Sequence, residues 1–283
     1  MIKGIGKVIK LLMSCLVTVV LIGACLFVYA RYIEPKLLKT EYVTVEAKDL
    51  SLKQPIKIAF FTDTHLGEYY SFNDLQKVVD KINAMSPDLI IFGGDLVEDN
   101  KTFEDEQGAI TVLSRLQAPC GKYAVYGNHD HGGNGTKRYA RIMKASGFSL
   151  LFDGHKEIQI QEQTISLIGI DDIVLGSPDI KQAFEGVPKN SYRLFISHAP
   201  DVANSVKAYD VDLQLSGHTH GGQVSLPFIG SPMTPPYGKE YIKGLYDIED
   251  TSMQLYVSSG IGTSQLPFRF LNIPEVTLIT LTS

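Results

Sequence analysis

The sequence predicts an α/β protein in which a second sheet follows the first. In the first half of the body, short apolar runs such as Ile56–Phe61 and Leu89–Phe92 alternate with segments of helical periodicity. This βαβα alternation is typical of a mostly parallel sheet. In the second half, apolar runs typical of strands predominate, and we expect one short helix from Pro200. The chain should therefore contain two sheets.

The elements can be assigned in chain order. Ser71 is a favourable N-cap for a helix whose apolar positions recur with the helical period from Phe72 to Met85. A second helix is expected around residues 110–116 and a third over Thr136–Ala145. Further strands are predicted at residues 123–126, 149–152, 158–160, 165–170, 192–197, 211–215, 253–257 and 276–281.

Length, charge and cysteine content exclude several classes of protein. The chain has 283 residues, of which 44% are hydrophobic, which is enough to bury a full core. The first 40 residues carry six basic side chains and one acidic one, whereas the remainder carries 20 basic and 30 acidic ones. Because a body this acidic repels phosphate backbones, we expect no nucleic-acid partner. Three cysteines exclude a disulfide framework.

Residues 11–30 form a run of 20 residues without a charged side chain. About 20 apolar residues are needed for a helix to cross a bilayer. Lys10 and Arg31 flank the run, and Tyr29 and Tyr32 lie at one end, as interfacial aromatics do. We therefore expect a transmembrane anchor that contacts the lipid bilayer through residues 11–30.

Two other interpretations of this segment stay open. It could be a buried core helix, or a lipoprotein signal, since residues 22–25 loosely resemble a lipobox although the apolar run continues beyond Cys25. Basic residues flank both ends almost equally, so orientation is weakly determined. We expect a single-pass protein of the cell membrane with its body outside the cytoplasm. The expected divisions are residues 1–10 as a cytoplasmic N-terminus, 11–30 as the anchor, 31–55 as a linker and entry strand, and 56–283 as the main domain.

Five polar runs each follow a predicted strand: Asp63-Thr64-His65, Gly93-Gly94-Asp95, Gly127-Asn128-His129-Asp130, Ser197-His198 and Gly217-His218-Thr219-His220. Ligands gather beyond the carboxyl ends of strands in sheets of this kind. If each run is extended, alternate side chains point the same way, so Asp63 can share an ion with His65. The sequence thus predicts a metal centre. Nitrogen and oxygen ligands without thiolate favour Mn, Fe or Zn.

In type and order, these runs resemble the calcineurin-like metallophosphoesterase superfamily, and the resemblance extends from Ile56 to Ser283. The runs YARYIEP, GHTHGGQ, TPPYGK and LPFRF are similar to a bacterial branch associated with the membrane or cell wall. The resemblance implies a two-sheet β-sandwich flanked by helices in four layers. It also implies two divalent metal ions. The implied ligands are Asp63, His65 and His220 for the first ion, Asn128, His198 and His218 for the second, and Asp95 as the bridge.

The resemblance also implies roles for residues that do not bind metal. His129 would protonate the leaving oxygen or stabilise the transition state, and Asp130 would orient it. Glu98 stands where many members of the superfamily carry aspartate, and we expect this departure to matter little. The proline-containing loop of residues 226–237, with Tyr69 and Tyr70, either lines the site or packs as an ordinary loop.

The function implied is a membrane-anchored phosphoric ester hydrolase, in which a metal-bridging hydroxide attacks a phosphate-ester substrate. One alternative is a pyrophosphatase that acts on a nucleotide-linked lipid precursor, as some superfamily members do on UDP-2,3-diacylglucosamine. Another is a non-catalytic module that binds an anionic cell-wall polymer. His129 and Asp130 argue against that module, because a protein that only binds would need no acid beside the metals.

Overall fold

The computed structural model describes residues 2–48 and 50–283. Two six-stranded sheets form the body. The first contains, in spatial order, β1 (Lys39–Glu46), β12 (Glu275–Thr282), β2 (Ile56–Phe61), β3 (Leu89–Phe92), β4 (Lys122–Ala124) and β5 (Phe148–Leu150). The second contains β10 (Gly244–Asp247), β11 (Gln254–Val257), β9 (Leu213–Ser216), β8 (Tyr192–Ile196), β7 (Gln163–Gly169) and β6 (Gly154–Ile160).

Seven α-helices are found in the described residues: α1 (Ile2–Val28), α2 (Phe72–Ala84), α3 (Glu106–Leu113), α4 (Asn128–His131), α5 (Thr136–Ala145), α6 (Ile180–Phe184) and α7 (Ala203–Val206). Strands β2, β3, β4 and β5 pair in parallel, as do β7, β8, β9 and β11. Their carboxyl ends therefore point in a common direction within each sheet.

Both faces of the first sheet are buried around β2 and β3. Along β2, Ile58 and Phe60 enter the core between the sheets, whereas Ala59 and Phe61 enter the core beneath α2, α3 and α5. A third core lies on the outer face of the second sheet, where Phe195 packs with α6 and α7. Since successive strand residues face opposite sides, β2 must be apolar at nearly every position. The predicted four-layer α/β sandwich is confirmed.

Local signals explain where the predicted boundaries agree and differ. Helix α2 begins where expected, because Ser71 and Asp74 form a capping box. Helix α3 begins earlier than predicted, because the carboxylate of Asp105 accepts a hydrogen bond of 2.7 Å from the backbone N–H of Gly108. The prediction missed strand β10, a four-residue edge strand that pairs antiparallel with β11 and has no continuous apolar run.

Helix α1 is exposed along its described length, so it is not a buried core helix. The segment Ile5–Lys36 is long and apolar enough to cross a membrane. The turns that follow α1 pack on the body, since Ala30 accepts a backbone hydrogen bond of 2.9 Å from Arg269. The buried carboxylate of Glu34 accepts from the N–H groups of Leu271, at 3.0 Å, and Asn272. Residues 31–36 are therefore docked on the body, and the expected entry strand is β1.

Candidate metal centre

The polar runs that follow β2, β3, β4, β8 and β9 lie together at one edge of the two sheets. Hydrogen bonds join the sheets there. The N–H of His218 donates to the Asp63 carboxylate at 3.1 Å, and His198 Nδ1 lies 2.7 Å from the Gly93 carbonyl oxygen. Each bond joins a residue that follows a strand of the second sheet to a residue that follows a strand of the first. The carboxyl ends of both sheets thus form one site.

The backbone of this site departs from the extended conformation that we expected for alternating ligands. Positive φ angles, which are uncommon in residues other than glycine, occur at Asp63, His65, Asp95, His218 and His220. Long-range hydrogen bonds hold these conformations, such as the 2.9 Å bond from Asp63 N–H to the Gly94 carbonyl. The paired side chains therefore converge through left-handed turns and not through strand alternation. Such strain is typical of functional sites.

A first group of potential ligands consists of Asp63, His65 and His220, whose ligand atoms lie within 4.8 Å of one another. His220 Nε2 is 3.0 Å from His65 Nε2 and 3.5 Å from Asp63 Oδ1. All three residues are buried. Two imidazole nitrogens and a carboxylate facing one point form a donor set suited to a divalent metal.

A second group consists of Asp95, His198 and His218. Asp95 Oδ2 lies 3.1 Å from His198 Nε2 and also 3.6 Å from His65 Nε2 of the first group. Asn128 borders the same cavity as Asp95, and its side-chain oxygen is buried without a hydrogen-bond partner among the described residues. An unpartnered buried acceptor is costly, and a cation there would satisfy it.

Carbonyl groups fix the orientation of the two imidazoles in the second group. His198 Nδ1 faces the Gly93 carbonyl, and His218 Nε2 faces the Pro236 carbonyl at 2.8 Å. A carbonyl only accepts, so each of these nitrogens must carry the proton. When such a ring is neutral, its other nitrogen carries the lone pair and can bind a metal, which is how metal-binding histidines are usually oriented.

The histidine pKa values differ with their surroundings. Burial lowers the pKa of His218 to about 4 and that of His220 to about 3, so both are neutral near pH 7. Burial also opposes the charged form of His65, but the neighbouring Asp63 and Glu98 carboxylates outweigh it and raise the pKa of His65 to about 10. The Asp95 carboxylate similarly raises the pKa of buried His198. Without a cation, these two rings hold protons.

Glu98, for which no metal-ligand role was expected, contacts several residues of the site. One carboxylate oxygen lies 2.5 Å from His65 Nδ1, and the other accepts a 2.9 Å hydrogen bond from the Gln265 N–H. Its backbone carbonyl faces His129 Nδ1 at 2.7 Å. Glu98 therefore positions two site histidines and the loop at Gln265. The available signal was its place three residues after Asp95, where many superfamily members carry an acid.

We predict that Glu98→Gln weakens metal affinity or turnover about 10–100-fold, the usual cost of losing a carboxylate behind a metal-binding histidine. Metal titration and steady-state kinetics would measure the two effects. Glu104→Gln is a matched control, since Glu104 is an exposed glutamate six residues away. Equal behaviour of the two variants would contradict a positioning role for Glu98.

His129 and Asp130 lie beside the ligand groups but do not contact each other as we expected. Instead of orienting His129, the Asp130 carboxylate accepts backbone hydrogen bonds of 2.8–3.0 Å from residues 95, 96 and 127. Burial and the Asp95 charge raise the pKa of Asp130 to about 7. Asp130 thus braces the loops that carry Asp95, whereas the Glu98 carbonyl holds the His129 ring.

Two further buried residues, Arg269 and Asn272, support His220. The Arg269 guanidinium lies 3.3 Å from His220 Nδ1 and donates to the carbonyls of Ser259 and Gly262. The Asn272 amide donates to the His220 carbonyl, and its backbone N–H donates to Glu34. A continuous set of hydrogen bonds thus runs from Glu34, in the turns that follow α1, to the metal centre.

A cavity of about 400 Å³ opens onto the site. Residues 233–236 of the proline-containing loop line it, which favours the first of the two interpretations of that loop. Tyr69, Tyr70 and Tyr237 are not among the residues that line this cavity. The lining residues with polar side chains are Asp95, Asn128, His129, His218, Thr219, His220, Gln223, Thr234, Ser264 and Gln265.

Comparison with known proteins agrees with this geometry. The family model for calcineurin-like phosphoesterases matches residues 56–222, which is more than half of the chain. The chain belongs to the calcineurin-like phosphoesterase family. This metallophosphoesterase is 41% identical over 257 residues to the uncharacterized metallophosphoesterase YkuE of Bacillus subtilis, with 90% of this chain and 89% of the relative covered.

Other relatives of this metallophosphoesterase are more distant. It is 30% identical to the phosphodiesterase YaeI of Escherichia coli, covering 80% of this chain and 82% of the relative. It is 28% identical to a transmembrane protein with a metallophosphoesterase domain from Danio rerio, covering 87% of this chain and 57% of the relative. The predicted superfamily and enzyme class, a metal-dependent phosphoric ester hydrolase, are confirmed. An anionic cell-wall polymer as partner finds no support in these comparisons.

Proposed function

We propose that the protein is a membrane-anchored phosphoesterase that holds two divalent metal ions, either Mn, Fe or Zn. The observation that carries this proposal is the shared position of Asp95 Oδ2 between His198 and His65, one from each ligand group. A carboxylate between two cations offsets their mutual repulsion. The proposed ligands are Asp63, His65 and His220 for one ion, Asn128, His198 and His218 for the other, and Asp95 for both.

The chain's own residues supply the rest of the reaction. Metal ions bound there would activate a water and neutralise charge on the phosphoryl oxygens. His129 borders the cavity, with Nδ1 at the Glu98 carbonyl and Nε2 only 3.3 Å from the Ser264 hydroxyl. Because Nδ1 donates its proton to the Glu98 carbonyl, Nε2 is the nitrogen left to take up a second proton, and in the doubly protonated ring it can donate that proton to the leaving oxygen.

The direct test uses the full-length protein in detergent, since Glu34 and Lys39 both bond to the body and a fragment from residue 40 would lack them. The protein is stripped with chelator and reloaded with Mn²⁺. An aryl phosphate monoester, the corresponding diester and a UDP-sugar pyrophosphate are then offered as substrates. We expect turnover of at least one, abolished by chelator. Metal uptake with no turnover of any would refute the proposal, and turnover of the UDP-sugar pyrophosphate alone would favour the pyrophosphatase alternative.

Metal binding should expel protons, because His65 and His198 hold protons in the metal-free protein. The pKa of His65 is raised above its usual value to about 10, so a cation must displace that proton at pH 7. Affinity for Mn²⁺ should therefore rise with pH between 6 and 8. Titration with Mn²⁺ in weakly buffered solution would measure the released protons. The variant His65→Asn should release fewer protons on binding Mn²⁺. An affinity for Mn²⁺ that does not change with pH would contradict the assignment of protons to His65 and His198.

We further propose that residues 11–30 span the membrane, with residues 1–10 in the cytoplasm and the domain of residues 56–283 outside it. Residues 31–55 connect the two. The length and exposure of α1 support the anchor. Protease treatment of intact and permeabilised cells would test the orientation. Digestion of the domain only after permeabilisation would contradict it.

A further inference from the structure

The surface beside the cavity carries apolar side chains that the fold does not bury. Phe228 is fully exposed, Ile229 and Met233 are 74% and 70% exposed, and Leu266 and Leu271 are each 56% exposed. We call these five residues the apolar rim. Soluble surfaces seldom cluster so many large apolar groups, and such clusters mark interaction sites.

The two segments of the apolar rim are joined through their backbones. Residues 223–225 pair with Phe270 through two N–H···O hydrogen bonds of 2.9 and 3.0 Å. Leu226 and Gly230 then close a turn. Phe228 occupies this turn with a positive φ of 66°, and its side chain is fully exposed. The turn is thus fixed to the segment that carries Leu266 and Leu271.

That segment is also the one on which α1 ends. The rings of Phe27 and Phe268 meet edge to face with centroids 5.4 Å apart, and those of Tyr29 and Phe270 are 6.4 Å apart. These contacts place the rim segment directly against the end of the membrane-spanning helix. If α1 crosses a bilayer, the rim lies at the membrane surface.

The charge pattern agrees with this location. Residues 221–238 and 260–268 contain no charged side chain, and Arg269 is fully buried. Where α1 ends, the Arg31 guanidinium lies 4.7 Å from the Tyr32 ring centroid and 5.1 Å from that of Tyr69. Aromatic and basic residues at a helix end beside an uncharged apolar surface are typical of membrane interfaces.

We propose that the apolar rim inserts into the membrane surface beside α1 and presents the metal centre to phosphate esters carried on lipid headgroups. This inference rests on the proposed membrane anchoring and phosphoesterase activity. Met233 and Leu266 belong both to the rim and to the cavity lining. A lipid-borne ester could therefore enter the cavity while its acyl chains stay in the bilayer.

The first test measures membrane contact without using activity. The chain contains no tryptophan, so Phe228→Trp gives a single fluorescent reporter in the full-length protein reconstituted into phospholipid vesicles. We expect blue-shifted emission that is quenched by lipids with brominated acyl chains. Lys53→Trp is the matched control. Lys53 precedes β2, so it lies at the end of the sheet opposite to the metal centre, and its side chain is 74% exposed. We expect no quenching there.

The second test measures the substrate class. An aryl phosphate ester and the same ester bearing a long acyl chain share one reacting bond, and only the second partitions into vesicles. The double variant Phe228→Ser/Ile229→Ser should lower kcat/KM for the acylated ester about tenfold or more, as expected when two apolar anchors leave the interface. Turnover of the soluble ester should be unchanged, because neither Phe228 nor Ile229 is among the residues that line the cavity.

The outcomes separate this inference from the function on which it rests. An unquenched F228W reporter would overturn the membrane contact and point to a soluble or protein partner for the rim. Equal loss of activity on both esters would overturn the assignment to lipid-borne substrates. If F228W is quenched but the wild-type protein hydrolyses neither ester, the phosphoesterase proposal fails while the membrane contact stands.

Discussion

Replacing His129 with alanine should lower turnover about 10²–10⁴-fold while leaving both metal ions bound, as expected for loss of a general acid. The His129 ring borders the cavity and lies outside the two proposed ligand sets, and its Nδ1, the nitrogen near the Glu98 carboxylate, is already engaged by the Glu98 carbonyl. Its loss therefore removes a proton donor and leaves the proposed ligands intact. Steady-state kinetics, together with metal analysis of the purified variant, would measure both quantities.

The identity of the leaving group separates acid catalysis from a structural role of His129. An aryl oxygen leaves readily without protonation, whereas an alkyl oxygen needs the proton, so the loss should be larger for alkyl phosphate esters. His155→Ala on strand β6 is a matched control and should keep turnover. A loss that is equal for both ester types would exclude His129 as the acid.

Replacing Asp95 with asparagine should lower the metal content below two ions per chain and reduce turnover strongly. Asp95 Oδ2 faces His198 and His65, and Oδ1 accepts a 2.8 Å hydrogen bond from the His129 N–H. Removing one partner from a buried set of charges costs about 3–5 kcal/mol of stability, and a site that loses one of its two ions also loses charge that would neutralise the phosphoryl oxygens. Metal analysis and kinetics at saturating Mn²⁺ would measure both effects.

The neighbouring acid provides the control for Asp95. Asp99 is exposed and accepts a local hydrogen bond from the Lys101 N–H, so Asp99→Asn should keep both the metal and the activity. Two ions per chain in Asp95→Asn would contradict the bridging role. A parallel unfolding measurement on both variants would show whether the asparagine disturbs the fold more generally.

The sequence was sufficient for most of the layered fold. Strand β2 is apolar on both faces because it separates two cores, and α2 carries its own capping box. Strand β10 escaped prediction because it is a short edge strand, whose pairing with β11 depends on a neighbour and not on its own apolar pattern. Helix α3 begins earlier than its apolar periodicity indicates, because Asp105 caps it at that position.

For the site, the sequence by itself determined which side chains gather, because each polar run directly follows a strand and strand ends share an edge. Only the tertiary structure decided how they are held. Glu98 contacts Gln265, which is 167 residues away, and Glu34 contacts Asn272, which is 238 residues away. Contacts between such distant positions leave no local periodicity or spacing in the sequence. For the same reason, the left-handed turns at the ligands and the apolar rim beside α1 emerge only once the chain is folded.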